Sequence, residues 1–175
     1  IDDRALTRAL IARQLLLERS ELDVVGAVEH LVGLQAQTPL TPYVSLWSRL
    51  DGFTTDDLAS AMLDRRVARI VTMRSTIHLP SARDVLRVRP LLTPVSVRML
   101  RASRGRGLEG VDLEAVGAAA RDVLEQEPMT LAALAERLAP LWPDRDPEHL
   151  ATTARCVLPL VQPPPRGVWG RSGAS

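Results

Sequence analysis

The chain has 175 residues, of which 46% are hydrophobic and 25% charged, with a net charge of +1. This is apolar material for one large domain or two small ones, and the whole-molecule field makes no case for nucleic acid. No run of 18 apolar residues predicts a membrane span, the start IDDRALTRAL lacks the apolar core of a signal peptide, and the one cysteine, Cys156, excludes an intramolecular disulfide or a cysteine-based zinc site.

Cytoplasmic residence is therefore expected. Helical periodicity then dominates the chain. Leu6, Ala9, Leu10, Leu16 and Leu17 fall on one stripe of a first helix. Val24, Val28, Leu31 and Val32 make a second, which the QAQTP stretch is expected to stop. A third, short helix is predicted over 43–50. Thr54 with Asp57, and then Ser81 with Asp84, have the spacing of capping boxes and open two further helices. The segment RPLLTP is expected to interrupt the second of these.

Between those two helices lies the one clear β signal. VARIVTMRSTIHLP holds two β-branched runs separated by a turn near Met73 and Arg74. Three helices followed by a hairpin is the plan of a winged helix. Residues 101–110 have three glycines and three arginines and are expected to be a linker or mobile loop. After them the plan recurs. Helices are predicted over 112–125, around Leu131–Leu138 and from Asp146–Pro147 onward, with Asp146 as cap and Pro147 in the first turn.

PPPRGVWGRSG is then expected as a second wing, cut short in its middle, as if the chain were part of a longer protein. The fold class predicted is mainly α with small β-hairpins, arranged as tandem winged-helix units. The first unit spans 1–100 and the second 111–175.

The segment LVGLQAQTPLTPYVSLWSRL holds the candidate chemistry. Gln35 and Gln37 flank Ala36. On a continuing helix, residues two apart face nearly opposite ways. Pro39 disfavours α geometry at Thr38, and in an extended segment the two carboxamides share a side and can converge on one water. The alternative reading is that Gln35 continues the apolar stripe and caps local backbone. No acidic residue lies between Glu29 and Asp51, so the motif offers no glycosidase-style carboxylate pair.

LQAQTPLTPYVSLWSRL, followed by TMRSTIHL, resembles the winged-helix DNA glycosylases, the family that includes the azinomycin-resistance enzyme. The resemblance implies tandem winged helices forming a concave surface for double-stranded, damaged DNA. It also implies excision of bulky N7-alkylated purines, interstrand crosslinks included, by an attacking water held on a Gln-x-Gln motif. Carried over, the motif is Gln35 and Gln37. A second branch has Gln-x-Asp; Gln37 places this chain with the first. The alternative is a non-catalytic winged-helix DNA-binding protein or transcriptional regulator.

Arg74, Thr76 and His78 alternate with Ile77 and Leu79 and are expected on one strand face, either as a DNA contact or as an ordinary solvated wing. Arg104 and Arg106 sit beside glycines and are candidates for phosphate contacts, or else belong to a solvated loop. Arg155, with Thr152 and Thr153, touches DNA if its helix enters a groove. His30, His78 and His149 lack metal-ligand spacing, so no metal and no cofactor are expected. No obligate protein partner is implied.

Every one of the 22 basic residues is arginine. A GC-rich genome explains that, and it leaves no side-chain amine here for Schiff-base chemistry.

Overall fold

The computed structural model describes residues 2–172. Helix α1 (Asp3–Arg13) starts at Asp2, whose carboxylate accepts the Ala5 N–H at 2.7 Å. It ends before the expected stripe is complete. Leu15 takes a left-handed φ of 55°, so Leu16 and Leu17 lie outside the helix, and α1 buries none of its residues.

Helix α2 (Val24–His30) is capped by Asp23. It stops well before QAQTP, because the chain turns at Val32 and Gly33, whose φ values are 57° and 97°. The Gly33 N–H reaches back to the Val28 carbonyl at 2.8 Å, and the Val32 N–H to Glu29 at 3.1 Å. This is a Schellman turn, which reverses the chain and satisfies the last carbonyls of the helix. The residues after it are extended as strand β1 (Leu34–Gln35).

Helices α3 (Thr41–Trp47) and α4 (Thr55–Leu63) follow. At the start of α4 the Asp57 carboxylate accepts both the Thr54 N–H and its hydroxyl. Strands β2 (Arg69–Val71) and β3 (Ile77–Leu79) form the expected antiparallel hairpin around a 3-10 turn at Met73–Ser75.

Helix α5 (Ala82–Arg104) contradicts the expected interruption, running through both Pro90 and Pro94. Each proline removes one helix hydrogen bond. Both prolines are exposed, on the side of the helix where a carbonyl without a helix partner is open to solvation. The stretch 101–110, expected as a linker, is also ordered: α5 runs to Arg104 and a 3-10 turn covers Gly105–Leu108. Gly107 lies against the His149 ring, where a Cβ would collide, so this glycine permits close packing.

Helices α6 (Leu113–Gln126), α7 (Leu131–Leu138) and α8 (Pro147–Val157) surround a second core that includes Val116, Leu134, Leu138 and Leu150. Arg89 on α5 clamps this half to the first. Arg89 is 4% exposed, and its guanidinium donates to the carbonyls of Arg155, Cys156 and Leu158 at 2.8–3.1 Å, at the C-terminus of α8.

The expected second wing is not a hairpin of its own. Strand β4 (Val161–Gln162) crosses back and pairs antiparallel with β2, giving one sheet of order β1-β3-β2-β4. Val168 enters the first core beside Leu34, Leu46 and Leu79. Residues 173–175, the end of the expected second unit, lie outside the described residues.

Candidate active site and nucleic-acid interface

The Schellman turn decides what the two glutamines can do. Because the chain leaves it extended, side chains alternate: Leu34 and Ala36 are buried in the first core, while Gln35 and Gln37 are exposed on the opposite side. A helix continuing through Gln37 would have separated them. The reason for the helix exit differs from the one expected, since Val32 and Gly33 end α2 ahead of any influence from Pro39.

The register then fixes the neighbours. Gln35 is the direct partner of His78 across β1 and β3, and His78 is the partner of Ile70 on β2. Side chains of such partners stand on one face, with Cβ atoms about 5 Å apart. The Ile77 carbonyl accepts from the Ala36 N–H at 2.8 Å, and the Ile77 N–H donates to Gln37 Oε1 at 3.2 Å. This holds the Gln37 carboxamide at the sheet edge, and among the described residues a second lone pair on its oxygen and its amino group have no further partner.

One step further along the same register lie Thr76 and Thr72, joined by a bond from the Thr72 N–H to the Thr76 carbonyl. Thr72 is a residue the sequence reading missed. It is 5% exposed, and its hydroxyl has no partner among the described residues. Nothing in its local sequence distinguishes it from an ordinary strand threonine. Gln35, Gln37, Thr76 and His78 are thus brought together.

Arg74 departs from its expected place. It occupies the turn with a left-handed φ of 54° and is exposed at the tip, off the strand face that holds Thr76 and His78. The tip touches α5, with the Ser75 hydroxyl 3.4 Å from Met99 Sδ. That contact sets Arg74 near the most basic part of the chain. No acidic residue lies between Asp84 and Glu109, and Arg87, Arg98 and Arg101 are exposed on α5. These three were also missed; the long acid-free stretch was the available signal.

The other arginines fall elsewhere. Arg104 and Arg155 line a cleft of about 460 Å³ whose floor includes Leu131, Ala135 and Ala151. Arg104 there pairs with Glu148 at 2.9 Å. Arg106 is exposed in the 3-10 turn. Burial pushes the Cys156 thiol upward, with Arg155, Arg89 and Arg104 opposing the shift.

Below the sheet, Arg69 ties β4 to the motif loop. It donates to Gln162 Oε1 at 3.2 Å and reaches the Pro39 carbonyl at 3.5 Å. Its pKa is lowered, first by burial and then by Arg166. Among the described residues no cluster of His, Cys, Asp or Glu has the makings of a metal site, and no helix is long and apolar enough to cross a membrane.

The chain is mainly helical with one small sheet, and it carries two exposed carboxamides at and just after β1 together with exposed arginines along α5. Residues 28–175 match the model of the AlkZ-like DNA glycosylases, and the chain belongs to that family. Among solved structures it is similar to the DNA glycosylase AlkZ of Streptomyces sahachiroi, with a TM-score of 0.64 and 19% identity. The match covers 83% of this chain and 42% of that one, so the chain spans less than half the length of this relative. No curated protein sequence matches it.

Proposed function

We propose that this chain carries the catalytic motif of a DNA glycosylase that excises bulky N7-alkylated purines, interstrand crosslinks included. Gln35 and Gln37 position the attacking water. Family membership supports the class of reaction. The observation that carries the mechanism is the exposure of both carboxamides on one side of an extended segment, with buried Ala36 between them.

An N7-alkylated guanine is cationic and leaves as a neutral base, so no strong general acid is required. What the site must supply is a fixed water and a bound duplex. A carboxamide held by a backbone N–H is preorganised for the first task. Arg74 and the exposed arginines of α5 suit the second through phosphate contacts, with Arg104, Arg106 and Arg155 extending the contact. We read the first half as a winged helix and the second as a tandem unit that lends its last strand to the first sheet. This chain offers no lysine for a Schiff base, which supports hydrolysis to an intact abasic strand, and capture of the full-length protein by borohydride trapping overturns that part of the reading.

The deciding measurement is release of free base from duplex DNA carrying N7-methylguanine or a bulkier N7 adduct. The bond from the Ile77 N–H to Gln37 favours a second reading, in which the glutamines serve the sheet and the protein binds DNA without chemistry. That reading requires sequence-selective binding to undamaged duplex and no base release.

A further inference from the structure

Hydrolysis by a carboxamide-held water leaves one proton without a destination, since an amide orients water but does not take its proton. We infer that His78 Nε2 is that acceptor, which makes His78 a third catalytic residue beside the two glutamines. The inference rests on the glycosylase reading and adds a residue to its site.

Three observations carry it. His78 is the direct cross-strand partner of Gln35, so its ring stands on the face that holds both carboxamides. Its Nδ1 lies 3.0 Å from the Thr76 carbonyl oxygen. A carbonyl only accepts, so Nδ1 carries the hydrogen, and the neutral ring must present its lone pair at Nε2. Among the described residues Nε2 makes no hydrogen bond, and the ring is half-buried rather than enclosed. The backbone thus fixes the tautomer that a proton acceptor needs.

The side chains beside His78 on its own sheet face are Gln35, Ile70 and Thr76, none of them charged. Arg69, adjacent to Ile70 on β2, faces the other side of the sheet, Arg74 lies in the adjoining turn, and Arg98 and Arg101 flank Met99 where α5 meets that turn.

The step balances as follows. The water oxygen forms a bond to C1′ of the sugar, and the C1′–N9 bond breaks with its electron pair going to the cationic base, which departs neutral. One water proton moves to His78 Nε2 and is then returned to solvent.

The test is single-turnover base release by the full-length protein on a duplex carrying an N7-alkylguanine, with DNA affinity measured in parallel. Three proteins are compared: wild type, His78→Ala and His78→Gln. The glutamine variant keeps a donor for the Thr76 carbonyl, so it guards against mere loss of fold. Both variants are expected to slow release by about 100-fold or more with affinity unchanged, as for loss of a general base. Added imidazole is expected to restore release by His78→Ala. Full-rate release by His78→Gln, or slow release by a folded His78→Ala that imidazole does not restore, overturns the role of His78 alone. No release by the wild type overturns the glycosylase reading and this inference with it.

Discussion

Gln37 Oε1 accepts the Ile77 N–H at 3.2 Å, in the place of the reciprocal backbone bond of the Ala36–Ile77 pair. An antiparallel pair of this type normally exchanges both of its bonds. Here the strand bends away after one, and the side chain of the next residue fills the vacated position. The sheet edge therefore positions a functional group whose oxygen retains a second lone pair. The structural bond of Gln37 is compatible with the proposed hold on a water at the same oxygen, and a rate measurement separates the two.

Replacing Gln37 with Ala is expected to reduce base release far more than DNA binding, because a water-orienting bond matters in the transition state. One such bond is worth about 3–4 kcal/mol, or roughly 100- to 1,000-fold in rate. Gln35→Ala is expected to act in the same direction. The structural cost of losing the single bond to Ile77 is about 1 kcal/mol, small enough to leave the variant folded. Unchanged release with both glutamines replaced removes the motif from catalysis.

The hairpin was legible because its β-branched runs and turn are local signals, and the shared side of Gln35 and Gln37 followed once an extended backbone was admitted. What ends α2 was not legible. Val32 is a β-branched residue in a left-handed conformation, which no propensity scale places there. The proline-bearing α5 was missed because proline was read as a breaker, whereas Pro90 and Pro94 both sit on the exposed side of the helix. The return of β4 to β2 joins residues far apart in sequence, and Trp169 seals that return by donating its backbone N–H to the Tyr43 hydroxyl at 2.9 Å. No short-range pattern encodes such a pairing.

Arg89→Met is expected to destabilise the protein by on the order of 3 kcal/mol, because three carbonyls at the end of α8 lose a charged donor in a buried setting. Removing a desolvated cation recovers part of that cost, but the orphaned carbonyls outweigh it. Urea unfolding reads the change as a lower midpoint. An unaltered midpoint means that water replaces the guanidinium.

Val32→Gly is expected to raise stability. Val32 is 52% exposed, so it contributes little packing, and its left-handed φ of 57° costs about 1–2 kcal/mol that glycine does not bear. Glycine is also the common residue at this position of a Schellman turn. Against this stands the extra freedom of glycine in the unfolded chain, leaving a net gain of about 1 kcal/mol and a Tm higher by about 2–4 °C. Base release is expected to be unchanged, since the turn that starts β1 is kept. A lower Tm shows that side-chain contacts of Val32 outweigh its backbone strain.

Arg74→Ala is expected to weaken binding to all DNA sequences alike. Arg74 is exposed at the tip of the β2–β3 turn, and the neighbouring Ser75 touches α5 at Met99 between Arg98 and Arg101. A guanidinium so placed meets the evenly spaced charges of a phosphate backbone, which carry no sequence information. A cation that neutralises one phosphate displaces about one condensed counterion, so without it the slope of log K against log salt falls by about 1. Fluorescence anisotropy on several unrelated duplexes over a salt series checks both statements. Weakening confined to one sequence assigns Arg74 to a base edge, because only groove contacts discriminate in that way. An unchanged salt slope with weakened binding points to disturbance of the turn, since the left-handed φ of 54° at this residue is also strained for alanine. Arg74→Gly separates the two causes: it tolerates that backbone while still removing the charge, so it must lower the slope if Arg74 binds phosphate.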